Sequence, residues 1–348
     1  MRNERAALPD NETRCSEGVG TTAGKGPAIW RRWAPLTVSL IAGVGVAVQT
    51  FLNARLGAAV GSVDGAAAIS SYCALVVAVV LGIASGAVVR AWKTVRRRGV
   101  RIRFWWVLCG MLGTFAMWVN TGVAPLTGIA LLSIASLLGK LLGGLLVDMI
   151  GLSPRGKVPT TWSRVIGALL ALASVVIGSL DSRAGEFLVL PLTLVVVASA
   201  LVSVQLAGNA YLSATTSEPL AMSTSNFLMG ALLMTAVLAV KGAPDIPPVG
   251  QLPPWFMLAG VTGVGIALAG AYAVQRVGVM ALLVVQIGGQ LIGAVVLDLV
   301  FPVGEVRPNL LTGAGVALAM AAVWATTRNP RAPDRARVRT DRTDCARG

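Results

Sequence analysis

The sequence predicts an all-α integral membrane protein in which ten transmembrane helices form two five-helix repeats of inverted orientation. Three observations support this fold class. Only 13% of the 348 residues are charged, against roughly 25% in ordinary soluble domains. Hydrophobic residues make up 55% of the chain, with a mean hydropathy of +0.75, and they lie in long runs. The second half of the chain also repeats residue patterns of the first half.

Ten apolar runs are long enough to cross a bilayer, because about 20 apolar residues span the roughly 30 Å of hydrocarbon. Charge clusters, polar loops and Pro or Gly residues separate them. The connections are short, which indicates one compact bundle. The predicted spans are residues 34–55, 65–89, 104–122, 128–149, 163–180, 187–211, 219–240, 254–274, 278–300 and 308–326.

Basic residues and prolines mark where successive spans begin and end. A basic cluster, Arg90 to Arg103, separates spans two and three, and Arg276 separates spans eight and nine. Pro125, Pro191 and Pro219 lie at span edges, where proline ends or starts a helix. All nine tryptophans fall at or near span ends, as expected for a side chain that prefers the membrane–water interface.

The positions of Lys and Arg predict the orientation in the membrane. Most of the 29 basic residues lie in the two tails and in alternate connections. The opposite connections contain only Arg55, Arg183, Lys241 and Arg307. The positive-inside rule therefore predicts a multi-pass protein of the cytoplasmic (inner) membrane with both termini in the cytoplasm. Residues 1–33 and 327–348 are expected to be disordered cytoplasmic tails.

Two amide pairs within apolar runs indicate an internal duplication. Gln49 and Asn53 in VQTFLNARLG recur as Gln205 and Asn209 in VQLAGNAYLS. The two amides of each pair lie one helical turn apart and so share a helix face. One copy of this pattern is compatible with chance, but a second copy at the end of another long apolar run requires an explanation.

A second match places the duplicated units along the chain. GKLLGGLLVDMIG at 139–151 corresponds to GQLIGAVVLDLVF at 289–301. We expect two five-helix repeats, at 34–181 and 187–326. Because five is odd, the second copy begins on the side where the first ended, and the two copies have opposite orientations. Inverted repeats are the usual architecture of secondary transporters, whose substrate site lies near the repeat interface.

These motifs resemble a known family of membrane proteins. The Q-x3-N-A-x-L ending of the first helix in each half and the G-[KQ]-x2-G-x4-D stretch in the fourth are similar to those of the YdcZ-like inner-membrane exporters. These belong to the drug/metabolite transporter (DMT, EamA-like) superfamily. The resemblance covers about residues 34–326 and indicates a fused two-repeat form. It implies a ten-helix DMT fold and export of small molecules, without assigning a substrate.

The amides Gln49, Asn53, Gln205 and Asn209 have two interpretations. Membrane helices use Asn and Gln to hydrogen-bond neighbouring helices, with a stabilisation of about 0.6–2 kcal/mol. Polar side chains in the membrane are also costly and often line a transport pathway. We therefore keep both interhelical hydrogen bonding and contact with a substrate or gate as hypotheses for these four residues.

Asp148 and Asp298 occupy equivalent positions near the ends of spans four and nine. An intramembrane carboxylate is a candidate functional residue by default. One hypothesis is proton coupling or gating, and the other is helix-end solvation or gate closure by hydrogen bonding. The predicted topology places Asp298 in an outer layer with Gln49 and Asn53, and Asp148 in an inner layer with Gln205 and Asn209.

Lys140 occupies the position that Gln290 occupies in the other repeat. A Lys in mid-span costs at least about 2.5 kcal/mol unless it is paired or extends its ammonium to the interface. We favour a cavity-facing Lys140 over one that reaches the interface. Such a Lys selects anionic substrates or itself titrates. Gln286 and Gln290 share a helix face, and Ser136 is the equivalent of Gln286.

Two glycine pairs predict close helix packing. Gly139 and Gly143 in span four match Gly289 and Gly293 in span nine, and GxxxG pairs allow helix backbones to approach closely. The matched positions predict that spans four and nine pack against each other.

Absent motifs narrow the function classes. The chain has no histidine, no P-loop and no metal-ligand cluster, so we expect no enzyme, no cofactor and no ATP-driven transport. The basic charge lies in tails and connections, so nucleic acid is not an expected partner. We expect secondary active export of a small organic metabolite or drug, driven by an ion gradient, with proton antiport as the expected coupling. A non-transporting membrane scaffold or a lipid scramblase is the alternative. The expected partners are the substrate and the lipid bilayer. A homodimer with a second copy of the chain is one assembly that fits these expectations.

Overall fold

The computed structural model describes residues 28–99, 102–152, 157, 160–180, 188–242, 248–252, 254–303 and 309–327. In these residues the regular structure is helical. The helices are α1 (Ala28–Val60), α2 (Val63–Ala84), α3 (Ala87–Arg98), α4 (Phe104–Leu108), α5 (Gly110–Ile150), α6 (Trp162–Ser179), α7 (Val189–Thr216), α8 (Pro219–Lys241), α9 (Leu258–Val300) and α10 (Leu310–Thr327), with two short 3-10 turns before α9. Of the two predicted tails, residues 1–27 and 328–348 lie outside the described part.

Six helical segments of the described residues are long and apolar enough to cross a membrane: Trp33–Val60, Val63–Ala84, Phe104–Ile150, Trp162–Ser179, Val189–Ser213 and Pro219–Lys241. Shorter apolar stretches occupy Leu258–Gly270, Val284–Val300 and Leu310–Thr326. The chain is thus a helical membrane protein. The predicted spans three and four lie in the single segment Phe104–Ile150, and α9 contains span nine and all of span eight except its first four residues, which form a 3-10 turn.

The segment α5 contains two helices that meet at Gly128. Its 41 residues correspond to about 61 Å of straight helix, twice the thickness of the hydrocarbon core. Gly128 interrupts the helical backbone with φ 73° and ψ 167°. Gly113, before this break, packs against Gln205, whereas Gly143, after it, packs against Ala200. The chain therefore runs along α7 in one direction before Gly128 and in the other direction after it.

The segment α9 turns back in the same way. Its 43 residues correspond to about 64 Å if straight. Gly45 of α1 packs against Ile266, and Gly43 packs against Gln286. Ile266 and Gln286 would lie about 30 Å apart along a straight helix, whereas Gly43 and Gly45 are separated by about 3 Å along α1. The chain must therefore reverse between Ile266 and Gln286.

The second half of α5 forms the centre of the bundle. Every residue from 127 to 139 is buried. Ile129, Leu132 and Ile134 belong to the largest apolar cluster, which also includes residues of α1, α6, α7, α9 and α10. A helix that is apolar on all faces lies either in lipid or among other helices, and the burial of all these residues shows that other helices surround this segment. The side chains of this segment thus lie where the two halves of the protein meet.

The matched glycine pairs pack against α7 and α1, so the predicted contact of spans four and nine through these glycines is wrong. A Cβ added to Gly139 would collide with the carbonyl oxygen of Val196, and one added to Gly289 would collide with that of Leu40. Gly143 and Gly293 likewise approach the backbones of α7 and α1. The physical reason is that each fourth helix lies along the first helix of the opposite repeat.

We expect Gly139→Ala to destabilise the protein, because the added methyl group forces α5 away from α7. Overpacking of this kind costs about 1–3 kcal/mol. Gly144→Ala is the matched control, since nothing lies within 4 Å of a Cβ at Gly144 and alanine favours the helix. Thermal unfolding in detergent measures both effects. An equal melting temperature for the two variants would contradict the close packing.

The basic connection after α2 forms a separate amphipathic helix, α3, that the sequence analysis did not predict. Gly86, with φ 66°, separates it from α2. Its Ala87 and Ala91 are buried, and Trp92 is 69% exposed. Arg90 binds Glu218 with both ends of its guanidinium, at 2.6 and 3.2 Å. This hydrogen bond raises the pKa of the Arg90 guanidinium, which stays protonated. The Arg90–Glu218 pair thus links α3 to the connection between α7 and α8.

Candidate functional site

The Asp298 carboxylate caps the helix that begins after Gly128. Its two oxygens accept hydrogen bonds from the backbone N–H groups of Ile129, at 2.9 Å, and Ala130, at 2.7 Å. The residue is only 3% exposed. Helix N-termini leave N–H groups without intrahelical partners and attract negative charge. Asp298 therefore connects the C-terminal end of α9 to the point in α5 where the chain reverses direction.

Gly128 makes this close approach feasible. Its φ of +73° is in the left-handed region that favours glycine. A Cβ at this position would lie 3.0 Å from an Asp298 carboxylate oxygen. Thr127 Oγ1 lies within hydrogen-bond distance of two carbonyl oxygens beside this position, that of Val123 at 3.2 Å and that of Gly128 at 3.0 Å. The sequence carries a signal for this site, because Gly128 and Gly278 are equivalent in the two repeats.

The equivalent carboxylate, Asp148, has a different partner. It accepts a hydrogen bond from the Arg164 guanidinium at the start of α6. The side chains of Asp148 and Arg164 are 23% and 22% exposed. Asp148 lies 19 residues beyond Ile129, or about 28 Å along the same helix. The two carboxylates therefore lie at opposite ends of the bundle, which we name the Asp298 end and the Asp148 end, and they are engaged differently.

Lys140 meets its own repeat equivalent in the middle of the bundle. Its Nζ donates to Gln290 Oε1 at 3.1 Å. The Gln290 amide, 5% exposed, donates to Ser133 Oγ at 3.4 Å. Ser203 of α7 donates to the Lys140 carbonyl at 3.0 Å. Equivalent positions of two repeats can touch only near their symmetry axis, so this pair marks the interface between the halves.

Lys140 projects away from the lipid-facing side of its helix. The exposed residues Leu142, Leu146 and Met149, at 44%, 53% and 60%, lie about 180–240° around the helix from Lys140 at 100° per residue. Ser136, which is 2% exposed, lies on the Lys140 side. The partly exposed Lys140 side chain thus faces the interior of the protein.

Gln49 and Gln205 occupy equivalent places between helices. Gln205 Nε2 lies near Gly113 and donates a long hydrogen bond, 3.5 Å, to the Gly110 carbonyl. Gln49 Nε2 lies near Gly263, the equivalent of Gly113. Each amide therefore fills the space over a glycine of the opposite repeat, a placement compatible with interhelical hydrogen bonding.

Asn53 and Asn209 differ in their hydrogen bonding. Asn209 Oδ1 accepts from Asn226 Nδ2 at 2.9 Å. Asn53 is 1% exposed, and its Oδ1 lacks a hydrogen-bond partner among the described residues. The Oγ of Ser70, which is the equivalent of Asn226, also lacks one there. The asymmetry between the ends of the bundle thus extends from the carboxylates to these amides.

Gln286 lies one helical turn before Gln290, and its backbone carbonyl packs against Gly43. The sequence analysis missed four residues whose side chains hydrogen-bond to the predicted site residues. They are Ser133, Arg164, Ser203 and Asn226. An apolar groove of about 230 Å³ is lined by Val63, Trp118, Val119, Gly122, Val123 and Leu194. None of these is a predicted site residue.

Comparison with family models relates both halves of the chain to one family. A model described as “Putative inner membrane exporter, YdcZ”, of the DMT type, matches residues 34–177 and 190–325. Comparison with curated proteins and with solved structures gives no match. The two matched segments together cover most of the chain, and each begins near the start of a predicted repeat.

Proposed function

Because the chain belongs to the YdcZ family of inner membrane exporters of the DMT type, with two copies of the family unit fused, we propose that it is a secondary active transporter. It exports a small organic molecule across the cytoplasmic membrane by alternating access. The molecule leaves chemically unchanged, since the chain acts as a carrier and not as an enzyme.

Ten membrane crossings in two inverted five-helix repeats are the architecture of this proposal. α5 and α9 are each long enough to cross twice, and each runs in both directions along one neighbouring helix. The Gly139–Val196 and Gly289–Leu40 contacts occur at equivalent positions of the two repeats, which supports a symmetric exchange of roles. Inverted repeats provide two conformations of similar energy, one open to each side.

The observation that carries the proposal is the different engagement of the two equivalent carboxylates. Asp298 caps the Ile129 helix and fastens its end of the bundle. Asp148 binds Arg164 instead. In the alternate conformation, Asp148 leaves Arg164 and binds the backbone N–H groups that follow Gly278, the equivalent of Gly128, while Asp298 releases Ile129. One end of the pathway closes as the other opens.

The distribution of charge supports an orientation. Arg90, Arg98 and Arg164 lie at the Asp148 end, because Arg90 contacts Glu218 and Arg98 contacts the Thr215 carbonyl next to the C-terminus of α7. The Asp298 end has Arg55 and Lys241. By the positive-inside rule, the Asp148 end faces the cytoplasm. In the proposed state, the outer end of the bundle is therefore closed, and the cytoplasmic end can accept substrate.

Proton antiport is the proposed coupling. Protonation of Asp298 removes the negative charge that binds the N–H groups of Ile129 and Ala130, and charge-assisted hydrogen bonds are about twice as strong as neutral ones. A proton that reaches Asp298 from outside thus weakens this cap and allows the outer end of the bundle to open. Dissipation of the proton gradient is expected to stop export.

Untargeted measurement of metabolites tests the proposal. We compare cells that produce the protein, cells that produce Asp298→Asn at equal level, and cells without the gene. At least one small organic compound should be depleted inside and enriched outside only in the first cells. No compound difference would overturn the proposal, and redistribution of lipids between leaflets would favour the scramblase alternative.

A further inference from the structure

The positive charge of Lys140 has no carboxylate partner among the described residues. The four acidic side chains there are engaged elsewhere: Asp64 binds Trp118 and Lys241, Asp148 binds Arg164, Glu218 binds Arg90, and Asp298 binds two backbone amides. Burying a cation is costly unless an anion or good hydrogen bonds compensate it. The Gln290 carbonyl supplies one hydrogen bond, and this leaves two ammonium N–H groups for another acceptor.

A second polar group beside Lys140 also lacks a partner. The Ser136 Oγ is buried and accepts or donates no hydrogen bond among the described residues. Ser136 lies one helical turn before Lys140, about 40° away around the helix axis, so the two side chains share one face. Buried hydroxyl groups are nearly always hydrogen-bonded in proteins. An anion that accepts hydrogen bonds would therefore satisfy both the unpaired Ser136 hydroxyl and the Lys140 ammonium.

We propose that Lys140, Ser136 and Gln290 bind the carboxylate of a small organic acid, so that the exported substrate is an organic anion. The inference rests on the proposed function and deepens it by naming the substrate class. One ammonium matches one negative charge, which favours a monocarboxylate over a multiply charged phosphate ester. A cationic substrate would face electrostatic repulsion at the same position.

The location of this cluster suits a substrate that must be reached from both sides. Lys140 and Gln290 are equivalent residues of the two repeats and lie within hydrogen-bond distance of each other. A site at the repeat interface keeps the same residues in both conformations while access alternates. The two equivalent positions therefore supply different groups at the same place, the neutral amide of Gln290 and the cation of Lys140.

Ligand-induced stabilisation of the purified protein in detergent tests the site without requiring transport. The probes are two carboxylates, benzoate and hexanoate, each compared with its uncharged amide, benzamide or hexanamide. Wild-type protein should be stabilised more by at least one carboxylate than by the matching amide. Lys140→Gln gives both repeats a Gln at this position. In this variant the affinity for that carboxylate should fall about tenfold to hundredfold, the usual effect of losing a charged hydrogen-bond partner.

The exchanged variant, Lys140→Gln with Gln290→Lys, is the matched control. It keeps the same pair of side chains facing each other and should retain carboxylate selectivity that Lys140→Gln loses. Equal responses to acids and amides in the wild-type protein, or unchanged carboxylate affinity in Lys140→Gln, would overturn the proposal. Carboxylate binding without any export in cells would instead refute the proposed function and leave the site intact.

Discussion

Replacing Asp298 with asparagine is expected to abolish most export while the protein still folds. Asparagine keeps the size of the side chain, but it removes the negative charge that holds the N–H groups of Ile129 and Ala130. Hydrogen bonds to a charged group contribute about 1.5–3 kcal/mol each. We therefore expect the rate of export to fall by at least about tenfold, measured as appearance of the exported compound outside cells.

Asp64→Asn is the matched control for this substitution. Asp64 lies at the same end of the bundle, but it binds Trp118 and Lys241 at a partly exposed site, where ion pairs contribute about 0–1 kcal/mol. Its export rate should remain close to that of the wild type. Asp148→Asn should impair export as Asp298→Asn does, because each carboxylate closes one end in turn. Full export by both aspartate variants would show that neither carboxylate acts as a gate.

Gly128→Ala is expected to produce the second largest effect. The substitution places a side chain at φ 73° and ψ 167°, a backbone region almost restricted to glycine, which costs about 1–3 kcal/mol. Its Cβ would also lie 3.0 Å from the Asp298 carboxylate, so the cap must lengthen or break. Both thermal stability and export should fall. Unfolding temperature in detergent and export from cells measure the two consequences separately.

Gly61→Ala separates strain from the loss of the cap. Gly61 has a similar positive φ, +69°, but nothing lies within 4 Å of a Cβ at that position. It should lose stability through strain alone and keep most of its export. If Gly61→Ala and Gly128→Ala reduced export equally, the approach of Asp298 to Gly128 would have no special role.

The sequence alone predicted the membrane class and the duplication well, because both depend on local patterns. Apolar runs of sufficient length require a bilayer, and the equivalent residues Gln49 and Gln205 revealed the repeat. The structure places these two amides over equivalent glycines, Gly263 and Gly113. Equivalent sequence positions thus correspond to equivalent contacts, which is why the duplication was the most informative signal.

Contacts between distant segments could not be predicted in the same way. The GxxxG glycines predicted close helix packing but did not identify the partner helices. A helix face made of glycines does not specify which other helix packs against it. The repeat also predicted equal roles for Asp148 and Asp298. A single conformation of an inverted pair is asymmetric, and Arg164, which binds Asp148, has an apolar equivalent, Leu310, in the other repeat.

The amphipathic helix α3 was missed for a third reason. The hydropathy pattern assigned the first residues of Ala87–Arg98 to the predicted span 65–89 and the basic residues from Arg90 onward to a connection, whereas α2 ends at Ala84. Arginine and lysine nevertheless have good helix propensity. Gly86 and Gly99, both with left-handed backbones, supply the boundaries, and the apolar face with Trp92 is typical of a helix lying at the membrane interface.

Distance measurements between spin labels at both ends of the bundle test alternating access most directly. The label pairs are Leu126 with Leu299 at the Asp298 end and Met149 with Arg276 at the Asp148 end, all exposed and related by the repeat. The native cysteines are first replaced by serine. In Asp298→Asn, we predict that the Leu126–Leu299 distance lengthens while the Met149–Arg276 distance shortens. Distances that stay unchanged at both ends, or lengthen together, would contradict the account.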